Sequence, residues 1–340
     1  MNNLLHEKDQ YRYLIERCGV IKFDNLGLIH AKGEDVLDLI DRLSTNDVSK
    51  LQDNSWFDTV LTTNKGRIVA QIRLIKSSKQ ILIVSDRSVL TKIIEWIEFY
   101  TFSEDVEFED VSESVSIYSV IGPKAHNAVR QGCRLPPFFY DDDHQPIIGS
   151  SVSYEQYGKD LILNVDRIGD LPKIDIILDR EFRNGNDYKV ASIMNKEISL
   201  EVSPNVYNVI RIESRIPVHG LELTDKYNPL EANLLHNVSF NKGCYVGQEV
   251  VTRLNSYDKV RMQLVLLYLD KNCKPTPDMV VTSGSNEVGV LTSVEFSHYA
   301  DKWTVLAYIK KSQCVPQNEF FVGGEEANFK CEIGDFGLTN

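Results

Sequence analysis

From Gly33 to Leu43 the apolar residues Val36, Leu39, Ile40 and Leu43 recur three and four positions apart, which predicts an amphipathic helix. Ser44-Thr45-Asn46-Asp47 comes next. Such side chains bond nearby backbone groups and provide a stop. Two strand-like runs, Phe57 to Leu61 and Arg67 to Ile75, enclose Thr62-Thr63-Asn64-Lys65-Gly66. Asn and Gly tolerate positive φ, so this gap predicts a hairpin. Gln80 to Val84 predicts a third strand, and Ser88 to Tyr100 returns to helical period with Val89, Ile93, Trp96 and Tyr100 on one stripe. Val115 to Ile121, Leu161 to Val165 and Ile174 to Leu178 read as further strands, and Gly122-Pro123 as a helix start. Gly132 to Gln156, rich in Pro, Gly and Asp, reads as irregular connection plus one strand. Strands and helices that alternate without long parallel crossovers predict an α+β fold with antiparallel sheets.

After Arg261 the pattern changes. Leu264 to Leu269, Met279 to Thr282, Glu287 to Thr292, Thr304 to Ile309 and Glu319 to Val322 are short β-rich runs separated by Gly, Pro, Asn or Asp. That spacing predicts a small all-β unit, a barrel or sandwich. The expected division is 1–262 and 263–340.

Charge narrows the function classes. The 340 residues carry 37 basic and 49 acidic side chains, a formal net charge of −12. A general nucleic-acid binder needs a basic surface to release counterions, so that class is disfavoured. No apolar run approaches the roughly 20 residues that span a bilayer. The N-terminal MNNLLHEKDQYRYLIER lacks an apolar signal core, so a cytoplasmic location is expected. Six cysteines (Cys18, Cys133, Cys244, Cys273, Cys314, Cys331) share no metal or disulfide spacing. Asp141-Asp142-Asp143-His144 reads as a solvated acidic loop, and His219 and His236 as structural histidines, with no metal site expected.

The densest stretch is Arg211 to Arg253. Within it, Lys242-Gly243-Cys244-Tyr245-Val246-Gly247-Gln248-Glu249 reads as a loop entering a helix from about Gly247 to Leu254. A thiol just before a helix start is favoured as thiolate, with Lys242 adding positive charge. Gly243 and Gly247 would let backbone approach a ligand. Gln248 and Glu249 read equally well as first-turn residues that complement the helix dipole. For Arg211 and Glu213, a structural ion pair stands beside ligand binding.

KGCYVGQE closely resembles the K-G-C-Y-x-G-Q-E signature of the YgfZ family, folate-binding proteins of iron–sulfur cluster assembly or repair that are related to the glycine cleavage T-protein. LSTNDV, TTNKGRIVAQ, VIGPKA, RIESRIP, LTDKYNPLEANL and VGVLTS stand around it in the family's order. The resemblance implies a GcvT-like folate-binding fold: two interlocked antiparallel-sheet domains and a C-terminal β-barrel around a central hole. It implies Cys244 as the key thiol, and a tetrahydrofolate site drawing on Tyr207, Arg211, Glu213, Lys242 and Gly243. A pterin asks for a stacking face and a carboxylate, and its glutamate tail for a cation. The implied partners are folate and iron–sulfur client proteins, with transient cluster contact at the thiol. Ala70 and Gln71 stand where the T-protein carries an acidic residue, which argues for an accessory factor over an aminomethyltransferase. A one-carbon transferase and a non-catalytic scaffold remain the alternatives. Arg215 and Asn233 replace family glycines and are expected to narrow the hole.

Overall fold

The computed structural model describes residues 6–77, 80–133, 147–156, 159–179, 200–324 and 327–335. The acidic run Asp141–His144 and part of the 132–156 connection lie outside them. The chain forms two compact units. The first comprises Met1–Leu61, Ala70–Ser203 and Asn241–Tyr245. The second comprises Thr62–Val69, Pro204–Phe240 and Val246–Asn340.

In the first unit, β1 (Gly19–Phe23), β7 (Val115–Ile121), β8 (Ser151–Gln156), β9 (Lys159–Ile168), β10 (Leu171–Asp179) and β11 (Leu200–Glu201) form one sheet in the order β11-β1-β7-β10-β9-β8. All its pairs are antiparallel except β1 with β11. A five-stranded sheet runs β3-β4-β5-β2-β6, built from β2 (Leu26–Lys32), β3 (Ser55–Thr62), β4 (Ile68–Lys76), β5 (Ile81–Asp86) and β6 (Glu107–Asp110). The helices α1 (Glu7–Glu16), α2 (Val36–Leu43), α3 (Leu90–Phe99) and α4 (Ala125–Cys133) accompany these sheets. The predicted stripe of α2 is its buried face: Val36, Leu39, Ile40 and Leu43 are at most 2 % exposed. Burial of that kind contributes about 2 kcal/mol per side chain.

One buried charge cluster interrupts this apolar packing. The Arg73 guanidinium, on β4, donates to Asp58 at 2.7 and 2.9 Å and to Asp175 at 2.7 Å, and lies 3.0 Å from Asp166. Its carbon sits 3.6 Å from the centre of the Trp56 ring. Lys173 bridges Asp166 and Asp175 at 3.1 and 3.0 Å, and the Ser119 hydroxyl donates to Asp175. The register explains the convergence, because Asp175 lies opposite both Ser119 and Asn164, and Lys173 lies opposite Asp166. Burial opposes the ionised Asp166, but Arg73 and Lys173 outweigh it and hold the carboxyl well below its usual range.

In the second unit, α5 (Pro204–Glu213) and α6 (Gln248–Ser256) accompany a seven-stranded sheet. Its strands are β12 (Met262–Asp270), β13 (Val280–Ser283), β14 (Asn286–Ser297), β15 (Lys302–Lys310), β16 (Phe321–Gly324), β17 (Ala327–Lys330) and β18 (Glu332–Asp335), in the order β17-β16-β13-β14-β15-β12-β18. The two outermost strands, β17 and β18, are separated in sequence only by Cys331. A sheet whose edges are joined by one residue must curl back on itself, which gives the nearly closed barrel expected from the strand spacing. Val265, Leu267, Leu291, Val305, Ala307 and Ile309 fill its interior. Among the described residues, no helix is long and apolar enough to cross a membrane.

Arg73→Met leaves three carboxylates facing a single ammonium. It is expected to cost about 3–5 kcal/mol at pH 7. A depressed carboxylate stabilises above its unfolded pKa and loses that contribution as pH falls through the folded value. The deficit should therefore shrink at pH 4, where repelling carboxylates take up protons. Urea midpoints of both proteins at the two pH values check this; an equal deficit at both would speak against the charge account.

Candidate functional site

Lys242 is the anchor of the signature loop. Its side chain is 1 % exposed and its ammonium donates to four oxygens: Asp41 O at 2.6 Å, Asp41 Oδ1 at 2.9 Å, Ser44 O at 3.0 Å and Asn46 O at 2.7 Å. Asp41 O belongs to the last turn of α2 and Ser44 O to its C-cap, groups that a helix leaves without internal partners, while Asn46 O lies in the turn that follows. Asp41 also accepts the Val48 N–H, and Asn46 is held by Thr59 Oγ1 and Asp58 O, so the Ser44–Asp47 stop is itself rigid. Burial pushes the Lys242 ammonium down, and its contacts with Asp41 oppose that. The expected role beside a thiolate or a folate anion does not match this placement: three N–H donors already serve four oxygens of the chain.

The residues after Lys242 divide sharply by exposure. Gly243 and Cys244 are exposed, whereas Tyr245 is 7 % exposed, its ring centre 5.4 Å from the Lys242 ammonium. The Tyr245 hydroxyl is buried without a hydrogen-bond partner, and burial pushes its pKa up to about 12. A Cβ at Gly243 would meet open space, so no steric demand fixes glycine there. Gly247 differs. It caps α6 at φ +88°, and a Cβ would lie 2.4 Å from Thr63 O and 2.9 Å from Thr62 Oγ1. The Thr62 hydroxyl donates to Val246 O at 2.6 Å. That glycine serves close packing of the Thr62–Gly66 hairpin rather than approach to a ligand. The helix itself starts at Gln248, four residues beyond the thiol.

The cysteines sort in the same way. Among the five whose side chains are described, Cys244 alone is exposed; Cys18, Cys273, Cys314 and Cys331 are buried. Burial pushes Cys18 and Cys314 up to about 11 and Cys331 to about 12, and raises Cys273. Those four are hydrophobes in all but name.

Arg211 and Glu213 were expected to face one ligand, and α5 separates them. Residues two apart on a helix point about 200° apart. Arg211 is 5 % exposed. It donates to Asn208 Oδ1 at 2.9 Å, Ser293 Oγ at 3.0 Å and Ile216 O at 3.4 Å. Ser293 in turn donates to the fully buried Glu222 at 2.6 Å. Glu222 also accepts the Val218 N–H at 3.0 Å, which ties this buried network to the turn after α5. Desolvation lowers the Arg211 pKa and Glu222 counters it. Arg211 is thus held by Asn208, Ser293 and the Ile216 carbonyl, with Glu222 behind Ser293, and not by an ion pair with Glu213. Tyr207 and Glu213 are half-buried on α5.

Sequence reasoning missed Glu222, Ser293 and Asp41. Asp41 and Ser293 lie 201 and 82 residues from the side chains they serve, and Glu222, though closer, reaches Arg211 only through Ser293. Arg215 and Asn233 adopt φ +53° and +62°. The family glycines at these positions match a left-handed backbone. Asn tolerates that region, and Arg pays a steric penalty.

Among the described residues, no group of three or more His, Cys, Asp or Glu side chains is placed to hold a metal ion. His236 is exposed rather than a packed core residue.

Residues 6–136 match the family model of the GCVT N-terminal domain. The chain is 25 % identical over 327 residues to an Arabidopsis thaliana protein named "Putative transferase", chloroplastic, covering 92 % of this chain and 70 % of that one. It is 26 % identical over 283 residues to the aminomethyltransferase of Alkaliphilus oremlandii, covering 81 % and 74 %. The crystal structure of glycine cleavage system aminomethyltransferase T from Bartonella henselae superposes with a TM-score of 0.81 at 16 % identity, covering 98 % of this chain and 90 % of that one.

Two substitutions test this geometry. Lys242→Met removes the donor to the end of α2 and should cost about 2–4 kcal/mol. Amide exchange at residues 44–48 should accelerate in the variant; unchanged exchange there would show that the ammonium does not hold the segment. Arg215→Gly relieves the left-handed strain and should raise stability by about 1 kcal/mol. A lower denaturant midpoint would instead mean that contacts of the Arg215 side chain outweigh the strain.

Proposed function

Taking the chain as GcvT-like, in its fold and in its N-terminal domain, we propose that it is a YgfZ-type tetrahydrofolate-binding protein that supports assembly or repair of iron–sulfur clusters in client enzymes, with Cys244 as its key thiol. The observation that carries this reading is the contrast among the thiols: Cys244 is exposed beside a clamped Lys242, while the other four described cysteines are buried. A thiol meant for transient cluster or sulfur contact has to be reachable and held in place. Five free thiols suit a reducing compartment, so the expected cytoplasmic location belongs to the same proposal. The domain limits 1–262 and 263–340 also remain part of it.

The residues present suit one half of a folate. Tyr207 offers an aromatic face and Glu213 an accepting carboxylate, both half-buried, the stacking and acceptor chemistry a pterin asks for, although six positions along α5 set the two side chains about 120° apart. The cations expected for the anionic tail do not fit: Arg211 and Lys242 are bound to the chain's own oxygens. Folate, when bound, would supply its one-carbon chemistry and the chain its pterin contacts. The tail is expected to be held outside those two side chains or to reach solvent.

A folate-dependent one-carbon transferase is the second reading, favoured by the names of the relatives. Ala70, fully buried, and Gln71 oppose it, because neither provides a carboxylate on β4.

The deciding experiment has two arms. In cells lacking the native protein, Cys244→Ser should fail to restore iron–sulfur enzyme activity that the wild-type chain restores. Full rescue by the variant would remove the thiol role. Calorimetry with tetrahydrofolate should show binding that weakens about tenfold in Glu213→Gln, the size of one charge-assisted hydrogen bond. Rescue without any folate binding would favour the scaffold reading.

A further inference from the structure

The two most exposed large hydrophobic side chains described lie three residues apart. Phe99, the last residue of α3, is 73 % exposed, and Phe102 is 92 % exposed. Tyr100 lies between them, with its ring edge-on to Phe99 at 5.0 Å and to Trp96 at 5.2 Å. Isolated exposed apolar residues are ordinary, but two strongly exposed phenylalanines within four residues, one of them packed on further rings, mark a candidate interaction site.

Slack does not account for this exposure. The Glu104 carboxylate accepts the Phe102 N–H at 2.7 Å and the Ser103 N–H at 3.1 Å, and pairs with Arg42 at 2.8 Å. Tyr100 N–H and Thr101 N–H donate to Ile97 O and Glu98 O, and the Thr101 hydroxyl to Ile97 O. Asp105 N–H donates to Asp35 at 2.8 Å, and Glu34 N–H donates to Asp105 at 3.2 Å. The loop is fixed on both sides of Phe102, so the ring is presented at little entropic cost to a partner.

The surrounding charge selects that partner. Glu95, Glu98 and Asp105 stand exposed on this segment against Lys92 on α3, while Glu104 and Arg42 of the packed α2 neutralise each other. Arg42 is already engaged by Asp38 and Glu104. Like charge disfavours a second copy of the same face, and equally an anionic membrane.

We propose that the Phe99–Phe102 knob is a docking site for a basic protein segment whose apolar side chains lie between lysines or arginines. The aromatic rings anchor the contact and Glu95 and Glu98 meet the basic rim. This surface is independent of the folate and thiol reading.

The test uses the full chain and a synthetic 18-residue amphipathic leucine–lysine peptide, titrated by calorimetry at low and at physiological salt. The wild-type chain should bind, and more weakly as salt rises. Phe99→Ser/Phe102→Ser should reduce affinity about tenfold or more, as expected for loss of aromatic anchors. Glu95→Gln/Glu98→Gln should reduce it several-fold and flatten the salt dependence. Circular dichroism melting of the serine variant should match the wild type, since both rings are solvent-exposed. Equal affinity in either variant overturns the proposal. So does a wild-type dimer, seen by light scattering, that the serine variant abolishes, or binding to phosphatidylcholine vesicles that depends on the two rings.

Discussion

A single ammonium, that of Lys242, sets the geometry on which the candidate site depends. Helix α2 ends at Leu43, and its last carbonyls need donors that the helix cannot provide. Lys242 arrives from a segment about 200 residues away in sequence and donates to one of them, Asp41 O, and to the carbonyls of Ser44 and Asn46 just beyond, while the Asp41 carboxylate offsets its charge. A buried cation with four oxygen partners has one comfortable position. Gly243, Cys244 and Tyr245 inherit it: the tyrosine ring turns inward, and the thiol is left outside.

The same logic runs through the other buried charges. Arg73 is enclosed by Asp58, Asp166 and Asp175, and Arg211 by Asn208, Ser293 and the carbonyl of Ile216, with Glu222 behind Ser293. In a chain of net charge −12, these strongly buried cations are consumed by architecture. An anionic ligand would have to find its positive partner elsewhere. Buried networks of this kind contribute little net stability compared with apolar packing, but losing one member leaves the rest uncompensated.

Much of the fold was legible in the sequence. The stripe of α2, the hairpin at Thr62–Gly66, the strand β7 and the barrel runs after Arg261 all follow hydrophobic period and turn chemistry, which are local properties. Helix α1, EKDQYRYLIE, escaped because it buries only Gln10 and Leu14 and shows no apolar stripe. Helix α5 escaped as well, and with it the direction of Arg211 and Glu213. Spacing of i and i+2 places side chains together on a strand and apart on a helix, so R-x-E changes meaning with the element that carries it. The partners of Lys242 and Arg211 were not legible, because Asp41, Glu222 and Ser293 reach them only through tertiary folding. Arg215 and Asn233, read from sequence only as larger side chains in place of glycine, sit at left-handed φ values, a backbone demand that the identity of the residues did not reveal.

The central claim is that, among the described cysteines, one thiol is presented and the other four are withdrawn. Alkylation of the native protein with iodoacetamide, followed over time by peptide mass spectrometry, tests it directly. The account predicts modification of Cys244 at least about tenfold faster than of Cys18, Cys273, Cys314 or Cys331, whose burial and raised pKa suppress the reactive thiolate. Equal or faster modification at any of those four in the folded chain would contradict it.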